Sequence, residues 1–79
     1  MFYLAPREAG TARLGMLVTR RHAARATDRN GIKRCIREAF RLEQGRMRPM
    51  DVLVRPPYGA RASSAMIVKL RLLLARLGG

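Results

Sequence analysis

The chain has 79 residues, enough for one small domain with a modest core, and its formal net charge is +12. A surplus of this size repels itself unless a polyanion neutralises it, so nucleic acid or an anionic membrane is the expected partner. No apolar run approaches the roughly 20 residues of a membrane-spanning helix. The N-terminal MFYLAP also lacks the basic start of a secretory signal. The sequence therefore favours nucleic acid over a membrane, and a cytoplasmic location.

Two short strands are the first predicted elements. Residues 2–5 are apolar and aromatic, and Pro6 is expected to end that strand. Residues 7–12 predict a turn. In residues 13–20, apolar side chains recur at every second position, which predicts a second strand with one firmly buried face. That face carries Leu14, Met16 and Val18.

The next element is a helix that carries much of the charge. Between residues 20 and 41 the sequence has eight Arg or Lys and two acids, a local net charge of +6. Residues 20–26 predict a basic connection, and Thr27 or Asp28 is expected to cap a helix that runs to about Glu43. At roughly 100° per residue, one side of this helix is an apolar stripe. The stripe consists of Ile32, Ile36, Ala39 and Phe40.

The adjoining side of this helix is polar and cationic, and we call it the basic face. It consists of Asn30, Lys33, Arg34, Arg37 and Arg41. A row of cations on an ordered helix matches a polyphosphate backbone, whose charges also recur along a line. Arginine suits this role because its planar group donates two hydrogen bonds to phosphate and can stack on bases. A helix face that is only solvated usually carries both positive and negative side chains. Here the two acids are expected to have other roles: Asp28 caps the helix, and Glu38 pairs with Arg34.

A third strand and a second helix complete the predicted elements. Residues 51–55 predict a short strand that Pro56 ends, and Ser63 or Ser64 is expected to cap the helix. The apolar stripe of this helix is Met66, Ile67, Leu70, Leu73, Leu74 and Leu77. Val68 and Leu72 fall outside the stripe. The helix is therefore either deeply packed or carries a second apolar face.

The order strand, strand, basic helix, strand, helix predicts a small α/β (α+β) fold with about three strands and two helices. Strands 13–20 and 51–55 are joined through a helix, so they should be parallel neighbours with both helices on one face of the sheet. The general rule for such connections favours a right-handed crossover. Residues 1–79 are expected to form a single RNA-binding domain.

No catalytic centre is predicted in the protein itself. Its acids lack the spacing of a metal-dependent nuclease, and the motifs of phosphate-binding loops and activated nucleophiles are missing. The only cysteine and the only histidine do not form a zinc site. We expect Cys35 to be a small, partly buried packing residue and His22 to be an exposed loop residue. Phe2 and Tyr3 alternate in the first strand, so one of them could stack a single-stranded base or simply pack.

Residues 26–38, ATDRNGIKRCIRE, resemble the signature of the bacterial ribonuclease P protein component. In that family an R-N-R-x-K-R-x-x-R-[EQ] run follows a strand that ends in a basic pair and opens with R-[IVL]-G. The corresponding pieces here are Arg13-Leu14-Gly15 and Arg20-Arg21, in the family's order and spacing. The strand at 50–54 resembles the family's short strand that opens with Asp. The third motif position, normally Arg, is Gly31 in this chain.

The resemblance implies a basic protein that joins a catalytic RNA, as a subunit of a ribonucleoprotein endoribonuclease that removes the 5′ leader from precursor tRNA. The RNA would carry the catalysis and hold Mg²⁺, and the protein would bind no cofactor alone. A fold like ribosomal protein S5 domain 2 is implied, with a left-handed crossover contrary to the general rule. The family's N-terminal helix and first strand would be lacking before Phe2.

The site residues follow from matching the motif and the basic face. The predicted RNA-binding residues are Arg20, Arg21, Arg25, Arg29, Asn30, Lys33, Arg34, Arg37 and Arg41, and the leader-contact candidates are Phe2 and Tyr3. The expected partners are ribonuclease P RNA and precursor tRNA, with no membrane and no DNA. The alternative is a ribosomal-protein-like structural RNA binder without a processing role. A DNA-binding module is disfavoured because the helix-turn-helix pattern is missing.

Overall fold

The computed structural model describes residues 2–6 and 10–78. Within these residues it has a three-stranded sheet and two α-helices, with a short 3₁₀ turn at Gln44–Arg46 after the first helix. The elements are β1 (Phe2–Pro6), β2 (Arg13–Met16), α1 (Ala26–Glu43), β3 (Met50–Val54) and α2 (Ser64–Gly78). This order confirms the predicted α+β class. The turn predicted at 7–12 lies partly outside the described residues.

β3 is the central strand of the sheet, which has the order β1-β3-β2. β1 pairs with it antiparallel, with Phe2 opposite Val54 and Tyr3 opposite Leu53. β2 pairs with it in parallel, with Arg13 opposite Asp51. The parallel pair joined through α1 was predicted from the order of elements. The hand of that crossover stays a prediction.

β2 is shorter than the predicted strand over residues 13–20. Its pairing ends at Met16, and the N–H of Leu17 still donates to the carbonyl of Val54 at 3.0 Å. β3 itself ends at Val54, and Pro56 beyond it has no N–H to donate to a neighbouring strand. Without a partner to extend along, the chain turns at Thr19 instead.

The core lies where both helices meet the sheet. α1 contributes the predicted stripe, β3 contributes alternate residues, and α2 contributes Leu74. The most completely buried side chains are Ile32, Ile36, Val52, Val54 and Leu74. Both helices therefore pack on one face, as expected. The β2 side chains predicted to be firmly buried are half-buried against this core instead: Leu14, Met16 and Val18.

The two helices begin differently. α1 starts at Ala26 after Arg25, and no side chain caps its first turn, so the cap predicted at Thr27 or Asp28 is wrong. Both residues lie inside the first turn, where Asp28 still complements the helix dipole. Before α2, the Ser63 hydroxyl oxygen accepts a hydrogen bond from the N–H of Met66 at 3.1 Å. This confirms Ser63 as the capping residue.

Gly31 lies where α1 meets the segment that leads into α2. A Cβ on Gly31 would stand 3.1 Å from the Cβ of Ala62, closer than ordinary van der Waals contact. The missing side chain thus allows this segment to approach α1 closely. The motif's usual arginine at this position would push the segment away, which gives a packing reason for the departure.

Substitution of Gly31 by alanine tests this contact. Alanine favours a helix over glycine by about 1 kcal/mol. We expect Gly31→Ala to raise the free energy of unfolding by that amount in an Ala62→Gly background, and by clearly less in the wild type, because there the two Cβ atoms collide. Urea denaturation of the four proteins measures the difference. Equal gains in both backgrounds would show that Ala62 does not restrict position 31.

No helix in the described part of the chain is both long and apolar enough to cross a membrane.

Candidate nucleic-acid interface

The basic face of α1 is exposed, because the buried stripe fixes the rotation of the helix. Asn30, Arg34 and Arg37 are exposed, and Lys33 is half-buried. At about 1.5 Å of rise per residue, the face from position 30 to position 41 is about 16 Å long. Within residues 2–6 and 10–78, the side chains of Lys33, Arg34 and Arg37 have neither a hydrogen bond nor an ion pair. These three cations are therefore free to meet an external anion.

Arg41, at the far end of the basic face, is paired. Its Nη2 lies 2.6 Å from Oε1 of Glu38 and its Nε lies 3.1 Å from Oε2. This hydrogen bonding lowers the pKa of Glu38. The predicted pair between Glu38 and Arg34 is wrong, because the carboxylate turns towards the following turn of the helix. Because Glu38 pairs with Arg41, it compensates the charge of Arg41 and not that of Arg34. Of these two arginines, Arg34 is therefore the better placed to bind an anion.

Arg29 holds the loop before α1. Its Nη1 donates to the carbonyl oxygens of Ala23 at 3.1 Å and Ala24 at 2.9 Å, and the side chain is half-buried. The same arginine therefore stiffens the connection between β2 and α1. The other guanidinium nitrogen atoms of Arg29 have no partner among the described residues and so remain available to a ligand. The motif-based assignment of Arg29 as an RNA contact stays a prediction.

The basic pair Arg20 and Arg21 is exposed in a turn that His22 anchors. The Nδ1 atom of His22 accepts a hydrogen bond from the N–H of Thr19 at 2.8 Å, and the Thr19 hydroxyl lies 3.0 Å from the same nitrogen. His22 is 4% exposed, so the prediction of an exposed loop histidine is wrong. Burial of its ring turns the neighbouring arginines outward. Arg25, which immediately precedes α1, is also exposed.

Tyr58, in the connection between β3 and α2, is a neighbour of this turn that the sequence did not single out. Its ring centroid lies 4.8 Å from that of His22, and its hydroxyl accepts a hydrogen bond from Nη2 of Arg55 at 3.1 Å. Hydrogen bonds from Arg55 and Arg21 lower the pKa of Tyr58. The C-terminal ends of β2 and β3 thus bring a tyrosine together with arginines from two loops.

The pKa of Tyr58 can be tested with a single charge removal. In the Tyr3→Phe protein, Tyr58 is the only tyrosine of the chain, so phenolate absorbance reports its ionisation alone. A nearby cation stabilises the phenolate, which means that loss of the cation must raise the pKa. We expect Arg55→Gln to shift the titration to higher pH and Arg48→Gln, in the loop before β3, to leave it in place. A shift to lower pH, or none, would contradict the described contact.

The outer face of the sheet carries an ion pair and a close packing contact. Arg13 donates to both carboxylate oxygens of Asp51, at 2.8 and 3.2 Å. A Cβ on Gly15 would stand 3.3 Å from Cδ1 of Leu53, so the neighbour expected to approach Gly15 is Leu53. The side chains of the leader-contact candidates Phe2 and Tyr3 lie outside the described part of the structure. Their role stays a prediction.

Cys35 and the acidic residues show no metal-binding arrangement. Cys35 is 7% exposed and packs in α1, with its Sγ 3.7 Å from the carbonyl oxygen of Ser63. The expectation of a packing residue is confirmed, with more burial than predicted. Among the residues that the structure describes, no three His, Cys, Asp or Glu side chains group in a way that could hold a metal ion.

The fold and the exposed cations define a small basic α+β protein with a cationic face on one helix and a second group of arginines in the loop that precedes it. The family model Ribonuclease P matches residues 1–78, and the chain belongs to that family. This confirms the resemblance found in the motif of residues 26–38.

Individual relatives agree with the family match. The ribonuclease P protein component of Acinetobacter baylyi is 41% identical over 64 residues, which cover 81% of this chain and 49% of that protein. The protein of the same name from Bordetella petrii is 48% identical over 50 residues, which cover 63% of this chain and 41% of that protein. The chain thus matches half or less of the length of these curated relatives.

A solved structure has the same fold. The RNase P protein from Thermotoga maritima, in complex with 1-(4-fluorophenyl)-2-thiourea, superposes with a TM-score of 0.77 at 29% identity. The match covers 95% of this chain and 76% of that protein. This likeness confirms the predicted fold class.

Proposed function

We propose that this chain is the protein subunit of ribonuclease P, which binds the catalytic RNA and precursor tRNA and promotes endonucleolytic removal of the 5′ leader. The observation that carries the proposal is a set of cations on α1 that have no hydrogen bond or ion pair among the described residues: the exposed Arg34 and Arg37 and the half-buried Lys33. Membership of the ribonuclease P family supports ribonuclease P RNA as the ligand in this proposal. A cytoplasmic location remains a prediction.

The role of the protein is to bind and orient RNA. Cations on the basic face replace counterions along the phosphate backbone, and release of those counterions drives association. The buried stripe of α1 packs in the core and holds the helix in one orientation. The cations of the basic face are therefore already arranged when RNA binds. The exposed pair Arg20 and Arg21 extends the positive surface beyond the start of the helix. Catalysis and Mg²⁺ belong to the RNA in this proposal.

Cleavage of precursor tRNA by the bacterial catalytic RNA at low magnesium tests the proposal. We expect the wild-type chain to increase the rate and the preference for precursor over mature tRNA. The variant Lys33→Ala/Arg34→Ala/Arg37→Ala should lose this effect, whereas the matched variant Arg46→Ala/Arg48→Ala/Arg76→Ala, which removes the same charge elsewhere, should keep most of it. Unchanged cleavage with wild-type protein at saturation would contradict the proposal. Preferential binding of ribosomal RNA in competition would favour the structural alternative.

Single substitutions on the basic face should change the salt dependence of RNA binding. Each phosphate contact contributes up to about one unit to the slope of log K against log salt concentration. We expect Arg34→Ala and Arg37→Ala each to weaken binding and reduce that slope by up to one unit, and Arg48→Ala to change it less. Filter binding over a range of salt concentrations measures the slopes. Slopes equal to wild type in both variants would mean that these arginines do not contact phosphate.

A further inference from the structure

We propose that Tyr58 forms a stacking site for one unpaired nucleotide of RNA, with the neighbouring arginines holding the phosphates on either side. The site lies at the C-terminal ends of β2 and β3, apart from the basic face of α1. It rests on the proposed function in that the ligand is RNA, and it adds a contact that selects single-stranded over paired nucleotides.

The ring of Tyr58 is held in place and yet open. It is 54% exposed, although its centroid lies 4.8 Å from the buried ring of His22. The backbone presents it on a tight turn, in which the N–H of Ala60 donates to the carbonyl of Pro57 at 3.2 Å. Gly59 in that turn has a φ of 81°, a conformation that suits glycine. An ordered aromatic surface of this kind is what base stacking requires.

Arginines surround the ring. The guanidinium of Arg55 lies over it, 5.7 Å from the ring centroid, and donates to its hydroxyl. Arg20 and Arg21 line the same depression, which also includes Leu17 and Thr19 and has a volume of about 480 Å³. No carboxylate is among the described residues that line it. That volume falls in the range of roughly 300–1,000 Å³ typical of small-molecule sites, which is room for one nucleotide.

The combination favours an unpaired base. In a duplex each base face already lies against its neighbours, whereas single-stranded bases can be splayed onto aromatic side chains. An exposed tyrosine without nearby cations would be an ordinary surface residue. Here the ring adjoins the basic pair in the loop before α1, so a strand whose phosphates contact Arg20 and Arg21 passes over the ring.

Tyrosine fluorescence measures stacking at this position directly. The chain has two tyrosines and no tryptophan, so in the Tyr3→Phe protein all tyrosine emission comes from Tyr58. We expect oligouridylate, an RNA with little base stacking of its own, to quench this emission in a saturable way, and a blunt RNA duplex of equal length to quench it much less. Absence of quenching at saturating oligonucleotide, or equal quenching by the duplex, would overturn the stacking site.

Affinity measurements separate stacking from charge. In the same background, Tyr58→Leu should weaken oligonucleotide binding about tenfold without changing the salt slope, because no phosphate contact is lost. Tyr58→Phe keeps the ring and should bind within about twofold of the background protein, and circular dichroism checks that both variants fold. Wild-type affinity in Tyr58→Leu overturns this inference. The same titrations, carried out with the catalytic RNA, test the proposed function separately. Failure of the unmodified chain to bind that RNA would overturn the proposed function.

Discussion

Ile36→Asp is expected to unfold the protein. Ile36 is 1% exposed in the stripe of α1, within the core that also includes Val52, Val54 and Leu74. A carboxylate at this position would lose its hydration without gaining a partner, at a cost of about 3 kcal/mol or more. Small domains are stable by only about 5 kcal/mol at the lower end of the usual range, so little folded protein should remain.

The neighbouring position supplies a matched control for this substitution. Arg37 is exposed on the adjoining side of α1, so Arg37→Asp introduces the same side chain into solvent and should leave the fold intact. Thermal melts followed by circular dichroism compare the two variants. A cooperative, native-like melt for Ile36→Asp would show that the stripe is not the core of the domain.

Arg71→Leu should have the next largest effect on stability. Nε of Arg71 lies 3.0 Å from Oε1 of Glu43, the last residue of α1, and the Glu43 side chain is 4% exposed. Without Arg71, a buried carboxylate between the two helices would lack its cation. We expect a loss of about 2–3 kcal/mol in the free energy of unfolding, less than for a fully enclosed pair because 42% of the Arg71 side chain is exposed.

A double variant shows whether the loss comes from the unpaired charge. In Glu43→Leu/Arg71→Leu both charges are replaced by apolar side chains, a change that is often neutral or stabilising in buried pairs. Urea denaturation should therefore find the double variant more stable than Arg71→Leu alone. If the double variant were the less stable of the two, the carboxylate of Glu43 would be contributing something other than its pair with Arg71.

Local periodicity was sufficient to predict the core side of both helices. The spacing of Ile32, Ile36 and Phe40 fixes the rotation of α1, and that rotation turns the basic face away from the core. Glu43 was missed, although it lies eleven residues after Ile32 and therefore in the same sector of the helix. The periodicity contained that signal, but the partner that makes its burial possible is 28 residues away, on another helix.

Loop residues depended on contacts that no local pattern encodes. His22 is buried because Tyr58, far along the chain, packs against its ring, and the sequence around His22 gives no sign of this. The capping of α1 was misplaced because the helix begins at Ala26, before both proposed caps, and the preceding loop is held by Arg29 through the carbonyl oxygens of Ala23 and Ala24. Tyr58 was not given a role because its position between a proline pair and a glycine predicts a turn but not which arginines meet there.

Val68 and Leu72 resolve an alternative left open by the pattern of α2. They are 56% and 63% exposed, so this helix has an apolar face outside the core and is not deeply packed on all sides. The two residues are one turn apart, which makes the exposed surface continuous along α2. The stripe towards the core is carried by Leu74 together with the half-buried Met66, Ile67 and Leu70.

Directed cleavage of RNA tests most directly whether α1 lies against RNA through its basic face. In a Cys35→Ala background, Asn30→Cys places the only thiol on that face, and Ala75→Cys places it on the exposed surface of α2. An iron chelate attached to each thiol generates hydroxyl radicals that cut nearby RNA. In the saturated complex with the catalytic RNA, we predict strong, localised cuts from position 30 and weak cuts from position 75. Cuts of equal strength from both positions, or strong cuts from position 75 alone, would contradict an interface on α1.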